Sequence, residues 1–253
     1  MTLGGDSARV AAAARHWIAG ATVPPLTLHA PFLLQPPSCG DDLDYLILVH
    51  TAPSHRRRRD VMRETFMSRD LDTIYRKFNT NDNNSKTTSI PLAKSNIVFL
   101  LGQSENRTLG NMIVEESKAY KAIVLGGFLD SYHNLTLKAI MSLRWTALKC
   151  PNVSVIIKLD DDVILNPFHV TTNLLPKFKP GILKLGCDAF VNNSSPINRR
   201  GKWSIEANNF KGMYVYPFPY CKGFFVALPG ALVKPLLAAA AMVNFNFVIL
   251  LHP

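Results

Sequence analysis

The 253-residue chain is short of acid: 18 Asp and Glu stand against 28 Lys and Arg, giving a formal charge of +10. A basic excess admits nucleic acid, an anionic membrane or a small polyanion as partner. The densest basic run, Arg56-Arg57-Arg58-Arg59, has no interleaved aromatic residue, and no nucleic-acid-binding module is legible. Nucleic acid is therefore set aside in favour of a phosphate-bearing ligand or a solvated basic turn. Paired cysteines are also absent. Cys39, Cys150, Cys187 and Cys221 are widely spaced with no C-x-x-C, which argues against a zinc site. Two disulfides in a secretory compartment and four plain thiols both remain open. No stretch has the length of a membrane-spanning helix. Ala8–Val23 comes nearest to a leader, but Arg9, Arg15 and His16 break it and it lacks a signal peptide's compact apolar block. A lumenal protein of this sequence would take its targeting segment from outside the chain or use a non-standard one. Internal repeats are lacking as well.

What is present suits one α/β domain with tails: 47% of residues are hydrophobic and 18% charged. Six sequons, at Asn83, Asn106, Asn134, Asn152, Asn192 and Asn193, lean towards a lumenal glycoprotein. Residues 1–43, rich in Ala and Pro, read as a tail or linker, and 72–94, polar and Asn-rich, as a flexible insertion in a domain spanning 44–241. Asp44–His50 is a near-continuous apolar run, as in a strand covered on both faces. RRDVMRETF has helical periodicity in Val61, Met62 and Phe66. Strands follow at Asn96–Leu101 and Ala122–Leu125, and helices at Leu109–Tyr120 and Leu135–Leu148, the latter with Asn134 as its candidate cap. Such alternation predicts a mostly parallel, Rossmann-like sheet with crossover helices. Farther on, Phe168–Leu175 predicts a short helix, Ile182–Val191 a strand, and the aromatic stretch Tyr214–Ala227 a strand pair with a turn or an aromatic wall for a sugar ring.

The chain centres on Val153–Leu165, VSVIIKLDDDVIL. A short β-branched run reads as a buried strand ending in Asp160, Asp161 and Asp162. Three adjacent acids repel one another in a dry site, and a divalent cation with oxygen ligands relieves that repulsion. With side chains alternating along an extended strand, Asp160 and Asp162 would face one metal while Asp161 points away. The plain alternative is that the acids end the strand or cap the next helix. Two chemistries suit the D-x-D: a metal-bound sugar nucleotide, or a phosphatase of the haloacid-dehalogenase type with Asp160 as nucleophile and Asp162 as acid/base. That phosphatase needs a later acidic pair, and past Asp162 only Asp188 and Glu206 remain, without that grouping.

Five stretches, in order, resemble motifs of the β-1,3-galactosyltransferase family and its β-1,3-N-acetylglucosaminyltransferase relatives, across roughly Tyr45 to Leu237. RRRRDVMRETF resembles R-x-x-I-R-x-T-W, with Arg59, Arg63, Thr65 and Phe66 in matching places. FLLG (Phe99–Gly102) and FLDSYHNLTLK (Phe128–Lys138) follow, the second nearly letter for letter, with Trp145 and Cys150 at the family's spacing. KLDDDV matches K-x-D-x-D-V/I/F, and Lys202-Trp203 then YPFPYCKG resemble K-W and Y-P-P-Y-C-S-G. The resemblance implies a GT-A fold and transfer of galactose or N-acetylglucosamine from a UDP-sugar to a glycan hydroxyl of a glycoprotein or glycolipid, with inversion and a β-1,3 bond. It also implies manganese as cofactor and a type II Golgi membrane protein with a lumenal catalytic domain, its anchor outside this chain, with homo- or hetero-oligomers admitted. On this reading Asp162 coordinates the metal and Asp160 serves the ribose or a metal-bound water. Arg59, Arg63, Asp160, Asp161 and Trp203 lie at the sugar nucleotide, with packing in the core as the other role for Trp203. Asp130, Ser131 and Tyr132 fix the turn before the Leu135 helix. Cys221 pairs with Cys150 or with Cys187.

The chain departs from the family in one large respect. The E-D-V stretch that supplies the family's catalytic base beyond Y-P-P-Y-C-S-G has no counterpart here, and His252 lacks the context of the family's metal-binding histidine. Residues 242–253 are atypical, so the sequence predicts a domain incomplete at its C-terminal end and little or no transfer by this chain. An inactive lumenal relative that binds a UDP-sugar or a partner glycosyltransferase is the alternative. Gly127 and Lys121 replace usual acids, and Lys222 stands where Ser is usual, beside the acceptor pocket.

Overall fold

The structure is a computed structural model describing residues 30–40, 43–66, 92–190, 195–201, 204–205, 207, 210–216 and 220–242. In chain order the strands are β1 (Phe32–Leu34), β2 (Tyr45–His50), β3 (Ser95–Gln103), β4 (Ile123–Leu129), β5 (Val155–Asp160), β6 (Gly186–Phe190) and β7 (Tyr220–Pro229). The helices are α1 (Arg56–Phe66), α2 (Arg107–Tyr120), α3 (Leu135–Lys149) and α4 (Val233–Met242), with short helical turns between Pro167 and Lys177. One seven-stranded sheet has the order β1-β4-β3-β2-β5-β7-β6. Its core, β4-β3-β2-β5, is parallel, and β1, β7 and β6 add antiparallel edges. This is the expected α/β class. Of the regions set apart in the sequence, residues 1–29, 67–91 and 243–253 lie outside the described residues.

Alternation along β2 explains the three layers. Tyr45, Ile47 and Val49 face one cluster with Met62 and Phe66 of α1 and Ile113 of α2. Leu46 and Leu48 face the other, with Met141 and Trp145 of α3 and Val233 of α4. Every residue of β2 is buried, because a strand covered on both faces has no polar side to show. Burying each of its aliphatic side chains, Leu46 to Val49, stabilises the fold by about 1.5–3 kcal/mol.

Several boundaries differ from expectation for identifiable reasons. β3 runs through Gly102 rather than stopping there, because the two strands come close enough that a Cβ on Gly102 would lie 2.7 Å from Phe128 O. The Tyr214–Ala227 stretch is not a strand pair. Its last part is β7, laddered to β5 on one side and to β6 on the other, while Val215 makes only an isolated bridge to Pro196. β6 covers only Gly186–Phe190 of the expected Ile182–Val191. Asn134 does not cap α3 with its side chain. Its Nδ2 donates instead to Leu129 O at 2.8 Å. All four cysteines are paired, Cys39 with Cys150 and Cys187 with Cys221. Cys150 is thus taken by the arm preceding β2, and Cys221 pairs within the β6–β7 ladder.

Candidate functional site

From β2 the chain winds outward through β3 to β4, then returns to add β5 on the other side of β2. The sheet's order reverses between β2 and β5, and the crevice at the carboxyl ends of such strands is where open α/β sheets bind ligands. His50 and Asp160 are register partners there. The acidic trio therefore lies at the topological switch point.

The three carboxylates have different surroundings. β5 ends at Asp160 in a turn closed by Val163 N–H donating to Asp160 O, so the strict alternation of an extended strand does not continue to Asp162. Asp162 has 65% of its side chain exposed and Asp160 39%. Asp161 is buried and accepts from Thr51 Oγ1, from Arg58 Nη1 and, on Oδ2, at the His55 Nδ1, each at 2.6 Å. Burial alone would raise its pKa, but the hydrogen bonds from Thr51, Arg58 and His55 outweigh that and hold it below the usual carboxylate range. None of the three caps the next helical turn, because Asn166 does so, its Oδ1 accepting from the N–H groups of Phe168 and His169. That removes the helix-capping reading of the cluster.

Two buried lysines underlie the trio. Lys158, on the same face of β5 as Asp160, donates to Asp160 Oδ1 and to Gly223 O of β7. Lys138 of α3 donates to both oxygens of Asp130 at 2.9 and 3.0 Å and to Thr51 O at 2.8 Å. Asp130 in turn accepts from the Gly102 N–H. The outer residues of the FLDSYHNLTLK motif fasten the loop that supplies Thr51 to Asp161. Burial lowers the pKa of both lysines, against the pull of Asp160 on one and Asp130 on the other. Burial first, then the Lys158 and Lys138 ammonium groups, lowers the pKa of the buried His50 well below the usual imidazole range. Tyr132 borders the same turn. Burial, then Asp160 and Tyr216, pushes its phenol up to about 12, so it stays protonated.

Arg59 and Arg63 occupy a different position from the one expected at a nucleotide. Arg59 is fully buried and uses its whole guanidinium on Glu116, Thr51 Oγ1, Ala52 O and Pro53 O. Arg63 pairs with Glu116 and Asp60 and lies 4.2 Å from the Tyr120 ring centroid and 4.7 Å from that of Phe99. These two arginines clamp α1 onto α2 and β3. The physical cause is Glu116, a buried carboxylate that needs both cations. The residues that do meet the trio, Thr51, His55 and Arg58, carried no separate signal beyond the basic run. Lys158 could have been read from its i,i+2 spacing to Asp160. Trp203 lies outside the described residues.

On the far side of β7 a small cluster of Ile197, Ile205, Phe210 and Tyr216 packs with Tyr220. Lys222, which stands where Ser is usual in the family, is paired with Asp188 at 2.6 Å across the β6–β7 ladder.

Chemically, the turn offers Asp160 Oδ2 and the Asp162 carboxylate to solvent. Among the described residues, no group of three or more His, Cys, Asp or Glu could hold a metal by itself. Two open carboxylates fit a hard divalent cation that takes its remaining ligands from water and substrate phosphates, and do not fit a closed protein cage.

The family profile described as Galactosyltransferase matches residues 57–248. Beta-1,3-galactosyltransferase 1 of Homo sapiens is 31% identical over 196 residues, covering 76% of this chain and 53% of that protein. UDP-GlcNAc:betaGal beta-1,3-N-acetylglucosaminyltransferase 7 is 29% identical over 212 residues in Mus musculus, covering 81% of this chain and 49% of that protein. The Rattus norvegicus form is likewise 29% identical over 212 residues. The chain thus spans about half the length of the curated relatives it matches. With its acidic turn at the switch point of an α/β sheet consistent with GT-A, and a profile match running from α1 past α4, this chain belongs to the galactosyltransferase family.

Proposed function

We propose that the chain binds a UDP-hexose at the Asp160–Asp162 turn and transfers galactose or N-acetylglucosamine to a glycan hydroxyl with inversion, forming a β-1,3 bond. The observation that carries this reading is the pair of open carboxylates at the switch point, flanked by Arg58 and Lys158. The matched relatives are named as transferases of those two sugars, which favours transfer over a binding-only relative and over the little or no transfer expected from the missing E-D-V stretch. Manganese is the cofactor the reading calls for, with Asp162 as direct ligand and Asp160 on the ribose or a metal-bound water. A divalent cation there supplies charge stabilisation to the leaving UDP, which is needed most in the transition state. Lys158 fixes Asp160 by taking one of its oxygens, and Thr51, His55 and Arg58 fix the turn through Asp161. Lys138 holds the Thr51 carbonyl. Tyr132, protonated, stands as a donor between the turn and the Tyr216 cluster, the side from which a glycan acceptor would approach.

A Golgi lumenal setting, as a type II membrane protein and glycoprotein, agrees with the pairing of all four cysteines and with the six sequons. No helix among the described residues is long and apolar enough to cross a membrane. Homo- or hetero-oligomers belong to the same reading. The test is incubation of the purified chain with Mn²⁺, UDP-galactose or UDP-N-acetylglucosamine and a glycan acceptor, following UDP release and product linkage. The expected result is a β-1,3-linked product that Asp162→Ala abolishes. Manganese-dependent UDP-sugar binding without product would transfer the assignment to the binding-only relative.

A further inference from the structure

The motif arginines Arg59 and Arg63 are both paired with the buried Glu116. The neighbouring Arg58 has the opposite situation. Its Nη1 donates to Asp161 Oδ1 at 2.6 Å and lies 3.5 Å from Asp162 Oδ2, while its side chain is 47% exposed. Among the described residues neither its Nε nor its Nη2 bonds a partner, so the half-exposed guanidinium keeps an open edge. Arg57, one residue back on the exposed face of α1, makes no such contact.

We propose that Arg58 is the diphosphate-binding arginine of the donor site, and that its guanidinium competes with a divalent cation for the Asp162 carboxylate. This rests on the donor-site reading above. The physical sequence is simple. An arriving divalent cation competes with the guanidinium for the Asp162 carboxylate and repels it. The arriving diphosphate then offers oxygens that a planar guanidinium fork matches with two parallel hydrogen bonds. Arg58 is close enough to exchange one anion for the other by rotating its side chain, with α1 held fixed by the Arg59–Glu116–Arg63 clamp beneath it. Asp161 keeps its bonds to Thr51 and His55 after the exchange, so the turn does not collapse when Arg58 leaves.

The arrangement predicts effects of opposite sign from one substitution. In Arg58→Gln, Mn²⁺ alone binds more tightly, because its competitor is gone. UDP at saturating Mn²⁺ binds more weakly by about tenfold or more, the weight of a charge-assisted hydrogen bond. Arg58→Lys keeps the charge without the fork, so its Mn²⁺ affinity stays near that of the parent while UDP affinity is only partly retained. Arg57→Gln makes the same change in net charge and leaves both affinities within about twofold of the parent. The free Mn²⁺ signal in electron paramagnetic resonance reports the first affinity and titration calorimetry with UDP the second, on the full chain, with thermal melting to confirm that each variant is folded. If the parent chain binds Mn²⁺ and UDP but Arg58→Gln leaves UDP affinity within twofold, or fails to tighten Mn²⁺, the Arg58 assignment is overturned while the donor site stands. If the parent chain binds neither, the donor site itself falls, and this assignment with it.

Discussion

Two clusters of arginine and carboxylate share helix α1 and do opposite work. In one, Arg59 and Arg63 surround Glu116, sealed from water, with Arg63 stacked on Tyr120 and Phe99. In the other, Arg58 leans over Asp161 and Asp162 at the open rim. The residue types are the same and the positions adjacent, so composition does not separate them. Burial does. A carboxylate taken fully out of water demands complete pairing and then has nothing to give a ligand, whereas a half-exposed one retains unsatisfied oxygens for a cation.

Breaking the sealed cluster should have the largest effect on stability. Glu116→Ala strands two buried guanidinium groups, for an expected loss of about 3–5 kcal/mol in chemical denaturation. The same cluster sets an acid limit. Burial pushes the Glu116 carboxyl up, but hydrogen bonds from Arg59 and Arg63 win and hold it below the usual carboxylate range. Its contribution is therefore fully present above the unfolded pKa and disappears as pH falls through the folded one. Melting temperature against pH should show this fall in the parent chain, and Glu116→Gln should flatten it. An unchanged acid limit in that variant would place the responsible group elsewhere.

Lys138→Met tests the support between the two clusters. It leaves Asp130 without its cation and frees the Thr51 carbonyl, with an expected loss of about 2–4 kcal/mol. Because Thr51 also holds Asp161, Mn²⁺-dependent UDP affinity should weaken in the folded variant. Retained affinity would mean that the turn holds itself. The smallest stability effect belongs to the open rim. Asp162→Asn should move the unfolding free energy by no more than about 0.5 kcal/mol, since the side chain faces solvent. It should nevertheless remove Mn²⁺-dependent UDP binding, measured by calorimetry. A large loss of stability there would show the rim to be as structural as the Glu116 cluster.

Much of this plan was legible in the residues. Apolar runs at Tyr45–His50 and Val155–Leu159 are long enough, and β-branched enough, to read as buried parallel strands, and the acids that stop the second run mark its carboxyl end. The helices read well because their apolar periodicity is set by the same faces that pack on the sheet. The aromatic stretch before β7 read poorly, because whether such a segment pairs with itself or with a distant strand depends on partners far along the chain. β7 found β5 and β6. The motif assigns Arg59 and Arg63 to the ligand, because a motif gives identity and spacing but not the side towards which a helix turns its charges. Glu116, more than fifty residues away, decided that.

The sequence by itself determined the layered α/β architecture, the family to which the chain belongs and the location of the acidic turn, all properties of local pattern and short-range spacing. Only the tertiary structure decided which arginine is spent and which remains open, which cysteines join, and that a lysine on α3 fastens the loop reaching Asp161. Those outcomes turn on desolvation and on pairings between residues distant in the chain, and a buried charge takes whichever partner the packing brings within reach.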